Sequence, residues 1–212
     1  MLVSDAFIRE VDEDLRQKQI NSLWKKYGKF IIGIAVGIVL LVSGRALYSS
    51  FIENKYIEQA NAFSNAVKLN GSEITAALGP VIASDVDGYE IVATFKKAEL
   101  ETAAKNIQAA VATLDQFIKS GTVDTVYKDI ANIQAAILEL DTVPSDVVRA
   151  RLSLILNGTS KFKYIANEIL ALSELRNDEV EAAILRLEAL VVDAESPAGV
   201  KNRADQYLSV IK

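Results

Sequence analysis

The chain has 212 residues, half of them hydrophobic and 24% charged, enough apolar material to bury a core in one ordinary domain with additions. It contains no cysteine and no histidine, which removes thiol nucleophiles, disulfides, an N-terminal lipid anchor on cysteine, Cys/His zinc sites and imidazole acid–base chemistry together. The net charge of −5 is unevenly spread: residues 1–52 hold seven Lys and Arg against five Asp and Glu, residues 53–212 sixteen against twenty-three, and an acidic bulk with no basic stripe argues against nucleic acid as partner.

Residues 1–29 read as an amphipathic leader helix, capped by Ser4 or Asp5, with Ile8, Val11 and Leu15 on one side. Asp12 and Arg16, and Asp14 and Lys18, are acid-before-base pairs four apart that favour a helix by about 0.3 kcal/mol each. Such a leader is either a solvated helix or a short handle for a partner.

Residues 30–52 follow as a transmembrane helix. No residue from Phe30 to Gly44 is charged, and after Arg45 the chain is uncharged to Ile52. As a helix this run is about 34 Å long, enough to cross a hydrocarbon layer of about 30 Å. Trp24, Tyr27 and Tyr48 stand where interfacial aromatics stand; Lys25, Lys26 and Lys29 crowd the leading side, and Arg45 can reach headgroups. The bias in Lys places residues 1–29 in the cytoplasm and the rest across the membrane. A cleaved signal needs a short basic leader and a small-residue cleavage site, neither of which is present. Gly33 and Gly37, four apart, read either as a face on which two spans could pair as a homodimer or as the glycine that spans commonly contain.

Residues 53–212 are expected to be all-α, a tetratricopeptide-like helical-repeat domain of eight or so antiparallel helices. Apolar residues recur at steps of three and four in Tyr56/Ala60/Phe63/Val67, Ile107/Val111/Leu114/Ile118, Val126/Ile130/Ile133/Ile137/Leu140, Phe162/Ile165/Ile169/Leu172 and Val200/Ala204/Tyr207/Ile211. Breaks are expected at Gly71, Gly88, Gly121, Pro144, Asn157–Thr159, Asn177–Asp178 and Pro197. An aromatic followed by alanines four and nine residues on occurs at Tyr89/Ala93/Ala98, Tyr127/Ala131/Ala136 and Phe162/Ala166/Ala171, at periods of 38 and 35 residues that fit stacked helix pairs. These nine residues are the expected repeat core. The first and third copies stay in register further, Ala109-Ala110-Val111 matching Ala182-Ala183-Ile184.

No catalytic, cofactor-binding or metal-ligating set is expected. The acid pairs Asp85/Asp87 and Asp178/Glu179/Glu181 fall at breaks, where they cap helices. Asn70-Gly71-Ser72 and Asn157-Gly158-Thr159 match glycosylation sequons, but Asn-Gly at a helix end reads as a stop. No phosphate-cradling loop or nucleophile elbow is present. The expectation is a non-enzyme without cofactors.

A basic "WKKYG" boundary before a single span, an acidic Ala-rich helical bulk and a closing "SPAGVKNRADQYLSVIK" resemble the tetratricopeptide-repeat-like bacterial inner-membrane proteins. That group includes the periplasmic ancillary subunit of the Sec translocon. The leader "FIREVDEDLRQKQINSLWKKYG" resembles the alphaproteobacterial version. The resemblance implies a single-pass inner-membrane protein, N-terminus cytoplasmic, whose periplasmic domain binds translocon subunits, periplasmic chaperones or newly exported chains. The alternative is a self-associating scaffold of an envelope complex. No copy carries the strict tetratricopeptide signature, only Pro144 sits where a repeat-ending proline is expected, and no Lys/Asn clamp at repeat spacing is expected. The binding surface is expected on the concave side, with Tyr, Phe and Asn exposed there and the aromatic of each triplet in the core.

Overall fold

The computed structural model describes residues 2–84, 86, 88–121 and 123–212; in the first helix it describes the side chains of Arg16 and of the residues from Asn21 on, other than Ile31. The described residues form nine helices and no strand: α1 Leu2–Ala66, α2 Ser72–Ile82, α3 Tyr89–Ala103, α4 Ile107–Ile118, α5 Thr125–Glu139, α6 Ser145–Asn157, α7 Lys163–Arg176, α8 Val180–Val192 and α9 Ala198–Ile211. They divide into two compact units, residues 1–56 and 57–212.

The first unit is a stretch of α1. Leader, apolar run and the Tyr56 segment, expected as separate pieces, are one helix that begins ahead of Ser4 and Asp5. No proline interrupts residues 2–66, and a lone glycine costs a helix only about 1 kcal/mol, so Gly28, Gly33, Gly37 and Gly44 do not break it. The side chains of Ile8, Val11 and Leu15, and the Asp12–Arg16 and Asp14–Lys18 pairs, lie outside the described residues, as do Asp85 and Asp87. Residues 21–66 include an apolar window long enough to cross a membrane, and none of that window is buried against protein.

The second unit is built by repetition. Positions five apart on a helix are separated by about 140°, so the two alanines of each triplet face different neighbours. Ala93 packs into the cluster made by the end of α1 with α2 and α3, while Ala98 packs into that of α3, α4 and α5. Ala131 joins the latter and Ala136 the cluster of α5, α6 and α7; Ala166 joins this one and Ala171 the cluster of α7, α8 and α9. All six are fully buried. A side chain no larger than a methyl lets each of α3, α5 and α7 wedge between two cores at close range.

The helices between them bury one stripe each: Ala110, Leu114 and Phe117 on α4; Val148, Leu152 and Ile155 on α6; Ala183, Leu187 and Leu190 on α8. These sets repeat at the same 38- and 35-residue periods, and each buried leucine contributes about 1.5–3 kcal/mol. Besides packing on its sequence neighbours, α7 touches both α5 and α9, so these three odd-numbered helices lie side by side in the array.

One break was not expected from sequence. Between α3 and α4, Lys105 adopts φ 61°, and the Asn106 amide donates to the Glu101 carbonyl at 2.9 Å. Asp178 does the same between α7 and α8 with φ 62°, the Glu179 amide reaching the Glu174 carbonyl at 2.9 Å. Both are left-handed helix ends of the kind glycine usually occupies. Pro144 does not end a repeat; it precedes the first residue of α6, inside the α5–α6 pair, where its fixed φ suits a helix start.

Candidate interaction surface

The repeat register carries charge as well as core. Twelve residues after the aromatic position stand Glu101, Glu139 and Glu174, late in α3, α5 and α7; twelve residues further stand Thr113, Arg151 and Arg186, on the paired helix. Arg151 donates to Glu139 through Nε at 2.7 Å and Nη2 at 3.0 Å, and through Nη1 to Asp115 of α4 at 2.5 Å. Arg186 donates to Glu174 at 3.0 and 2.8 Å and to Asn167 Oδ1 at 2.8 Å. Thr113, in the same place, has only a hydroxyl, which donates to Glu101 at 2.7 Å.

Glu174 has no side-chain exposure, and a buried carboxylate is tolerated only when paired. Arg149 of α6 supplies a further donor at 2.9 Å. On α7 and α9, Glu168 and Arg203 form a two-point pair with both distances 2.6 Å. Burial works against the charge of Arg151, but hydrogen bonds to Asp115 and Glu139 outweigh it and raise its pKa above the usual arginine value. Arg203 is also raised, chiefly by its hydrogen bonds to Glu168. The pairs fix neighbouring helices against one another and leave the rest of the odd-helix face free to act as a surface.

That face is aliphatic. Three residues after the aromatic position lie Val92, Ile130 and Ile165; ten after it lie Ile137 on α5 and Leu172 on α7. Three and ten are seven apart, so both columns share one side of each helix. Val92 and Ile137 are each 51% exposed and Ile165 is 37% exposed, while Ile130 and Leu172 are partly buried. The even helices also expose Leu154, Leu185 and Val192, but no two of these occupy the same repeat position. Single exposed apolar residues are ordinary on a surface, whereas a stripe in register over successive helices is not.

The side chains expected at the membrane boundary, Trp24, Lys25, Lys26, Tyr27, Lys29, Arg45 and Tyr48, are all exposed, with the Lys26 ammonium 5.4 Å from the centre of the Tyr27 ring. Gly33 and Gly37 lie one turn apart in α1, and no atom lies within 4 Å of where either would carry a Cβ. Tyr89 and Phe162 are half-buried against the clusters that their first alanines join, Tyr89 with its ring 6.4 Å from that of Phe63. Tyr127 departs from its expected place in the core: it is 39% exposed. Val123, one turn earlier, packs against the cluster that Ala131 joins.

Lys128 and Asn132 on α5, and Lys163 and Asn167 on α7, do form a Lys/Asn pair at repeat spacing, contrary to expectation. Both amides are turned back, donating to the Lys128 carbonyl at 3.1 Å and the Lys163 carbonyl at 2.9 Å. Glu179 does not cap α8 with its side chain; its carboxylate accepts from Ser145 of α6. Asn157 ends α6 as expected, and a Cβ on Gly158 would sit 2.5 Å from the Leu154 carbonyl oxygen. Asn70 instead follows α1 by four residues, with Gly71 at φ 59° before α2. The glutamate–arginine column does not stand out in the sequence by itself, although the alanine period locates it.

A family model described as a tetratricopeptide repeat-like domain matches residues 21–169, well over half of the chain. No curated protein and no solved structure matches it.

Proposed function

We propose that this chain, which belongs to the tetratricopeptide repeat-like domain family, is a membrane-tethered protein–protein interaction module whose binding surface is the aliphatic stripe on α3, α5 and α7. The observation that carries the tether is the apolar run of α1. Ile34, Leu40, Leu41 and Leu47 are each more than 60% exposed, and leaving such side chains in water forgoes about 1.5–3 kcal/mol apiece. Lipid removes that penalty. The Lys-rich side of the run supports an N-terminus in the cytoplasm and residues 53–212 in the periplasm.

The finer part of the proposal rests on the resemblance of the leader and its boundary. It makes the chain an ancillary, translocon-associated protein of the inner membrane that engages translocon subunits, periplasmic chaperones or newly exported chains, without catalysis of its own. Pairing of two spans through Gly33 and Gly37 belongs to it as well. A reporter active only in the periplasm, fused after Lys212, tests orientation, and cytoplasmic activity alone would reject it. Pull-down from mildly solubilised membranes tests the partner: enrichment of translocon subunits supports the proposal, and recovery of the chain by itself favours a self-associating scaffold.

A further inference from the structure

The third copy of the repeat fills one place with an arginine that the first copy leaves open. Arg186 lays its guanidinium between Glu174 and Asn167. Seventy-three residues earlier, Glu174, Asn167 and Arg186 correspond to Glu101, Thr94 and Thr113. Thr113 is too short to cross the gap: its hydroxyl stops at Glu101. Thr94 is 1% exposed, and its Oγ1 has no hydrogen-bond partner, an unfavourable state for a buried polar atom.

Both threonines line a cavity of about 380 Å³ between α2, α3 and α4, with Gly79, Ile82, Lys97 and Phe117 on its other sides. A Cβ on Gly79 would meet no atom within 4 Å, so the missing side chain keeps the space open. The buried carboxylate of Glu90 also lines it, and Glu101 adjoins through Thr113. Lys97, which also lines it, has its Nζ 3.9 Å from Glu101 and a partly exposed side chain.

We infer that this cavity receives a guanidinium, the side chain of an arginine in a bound protein segment, seated against Glu101 and Thr94 as Arg186 is seated against Glu174 and Asn167. The planar fork of donors suits a carboxylate beside a neutral oxygen acceptor, and Lys97 can turn to solvent as the incoming charge replaces it. This deepens the reading of the chain as a protein-binding module and rests on it for the source of the arginine.

The test is titration of the full chain in detergent micelles with N-acetyl-arginine amide, and separately with N-acetyl-lysine amide, following the backbone amide resonances of Gly79, Thr94 and Thr113. The arginine probe is expected to give a saturable shift, with the lysine probe weaker by about tenfold or more. Thr113→Arg supplies the guanidinium from within and should abolish the shift. Gly79→Leu fills the cavity by another route and should do the same, so a folding failure of one variant leaves the other decisive. Absence of a saturable shift, equal binding of the lysine probe, or a shift that persists in either folded variant would overturn the assignment. None of these outcomes depends on partner recovery from membranes, so the cavity and the general binding role fail separately.

Discussion

Arg186 of α8 closes a two-point hydrogen bond on the buried carboxylate of Glu174 in α7, at 2.8 and 3.0 Å, and Arg149 of α6 reaches the same carboxylate at 2.9 Å. One side chain therefore ties three consecutive helices. Arg151 does the reverse one repeat earlier, a single guanidinium joining carboxylates of α4 and α5 to α6.

Because Glu174 is fully buried, water cannot replace a donor that is removed. Arg186→Met, which leaves Arg149 as the remaining partner of Glu174, is expected to lower stability by about 1–3 kcal/mol. Glu174→Leu combined with Arg186→Met should cost clearly less than the two single changes added together. Urea denaturation followed by circular dichroism measures both, and strict additivity would show that the pair is not coupled.

Lys105 and Asp178 hold left-handed backbone conformations that disfavour any residue with a Cβ. Lys105→Gly and Asp178→Gly are each expected to stabilise the domain, by about 0.5–1 kcal/mol after the greater flexibility of glycine in the unfolded chain is set against the relief. A lowered urea midpoint in both variants would contradict this.

Ala131 and Ala166 mark where α5 and α7 press against the preceding core. Enlarging either to leucine is expected to destabilise by about 1–3 kcal/mol through overpacking. Tyr127→Ala, one turn before Ala131 but exposed, should cost less than the loss of a buried aromatic, under about 3 kcal/mol. Thermal melts of the three variants rank them.

Gly158 sits where a Cβ would meet the Leu154 carbonyl oxygen at 2.5 Å, an atom of the backbone that cannot swing aside. Gly158→Ala should therefore destabilise by about 1–3 kcal/mol, whereas Gly79→Ala, with open space around it, should be neutral or stabilising. The comparison needs only melting temperatures.

Much of this architecture could be read from residue spacing, because the helices repeat. The alanines of each triplet mark the wedge positions, since only a small side chain fits between two cores, and Pro144 and Pro197 stand immediately before α6 and α9. The α3–α4 turn is not legible in the sequence because Lys105 and Asn106 form it without glycine or proline. Continuity of α1 is not legible either, because a change from polar to apolar composition looks like a boundary, although a helical backbone is indifferent to it. The aliphatic stripe was hidden for a different reason. Ile130, Ile137 and Ile165 look like core residues by composition, and only the packing of α5, α7 and α9 shows which side of each helix stays uncovered.

Site-specific photo-crosslinking in intact membranes tests the binding surface most directly, with the crosslinker placed in the full chain at Val92, Ile137 or Ile165 on the odd helices and at Leu154 or Leu185 on the even ones. A binding surface on the odd helices gives adducts with translocon subunits, periplasmic chaperones or exported chains from the first three positions and not from the last two. Adducts from Leu154 and Leu185 alone, or equally from both sets, would contradict it.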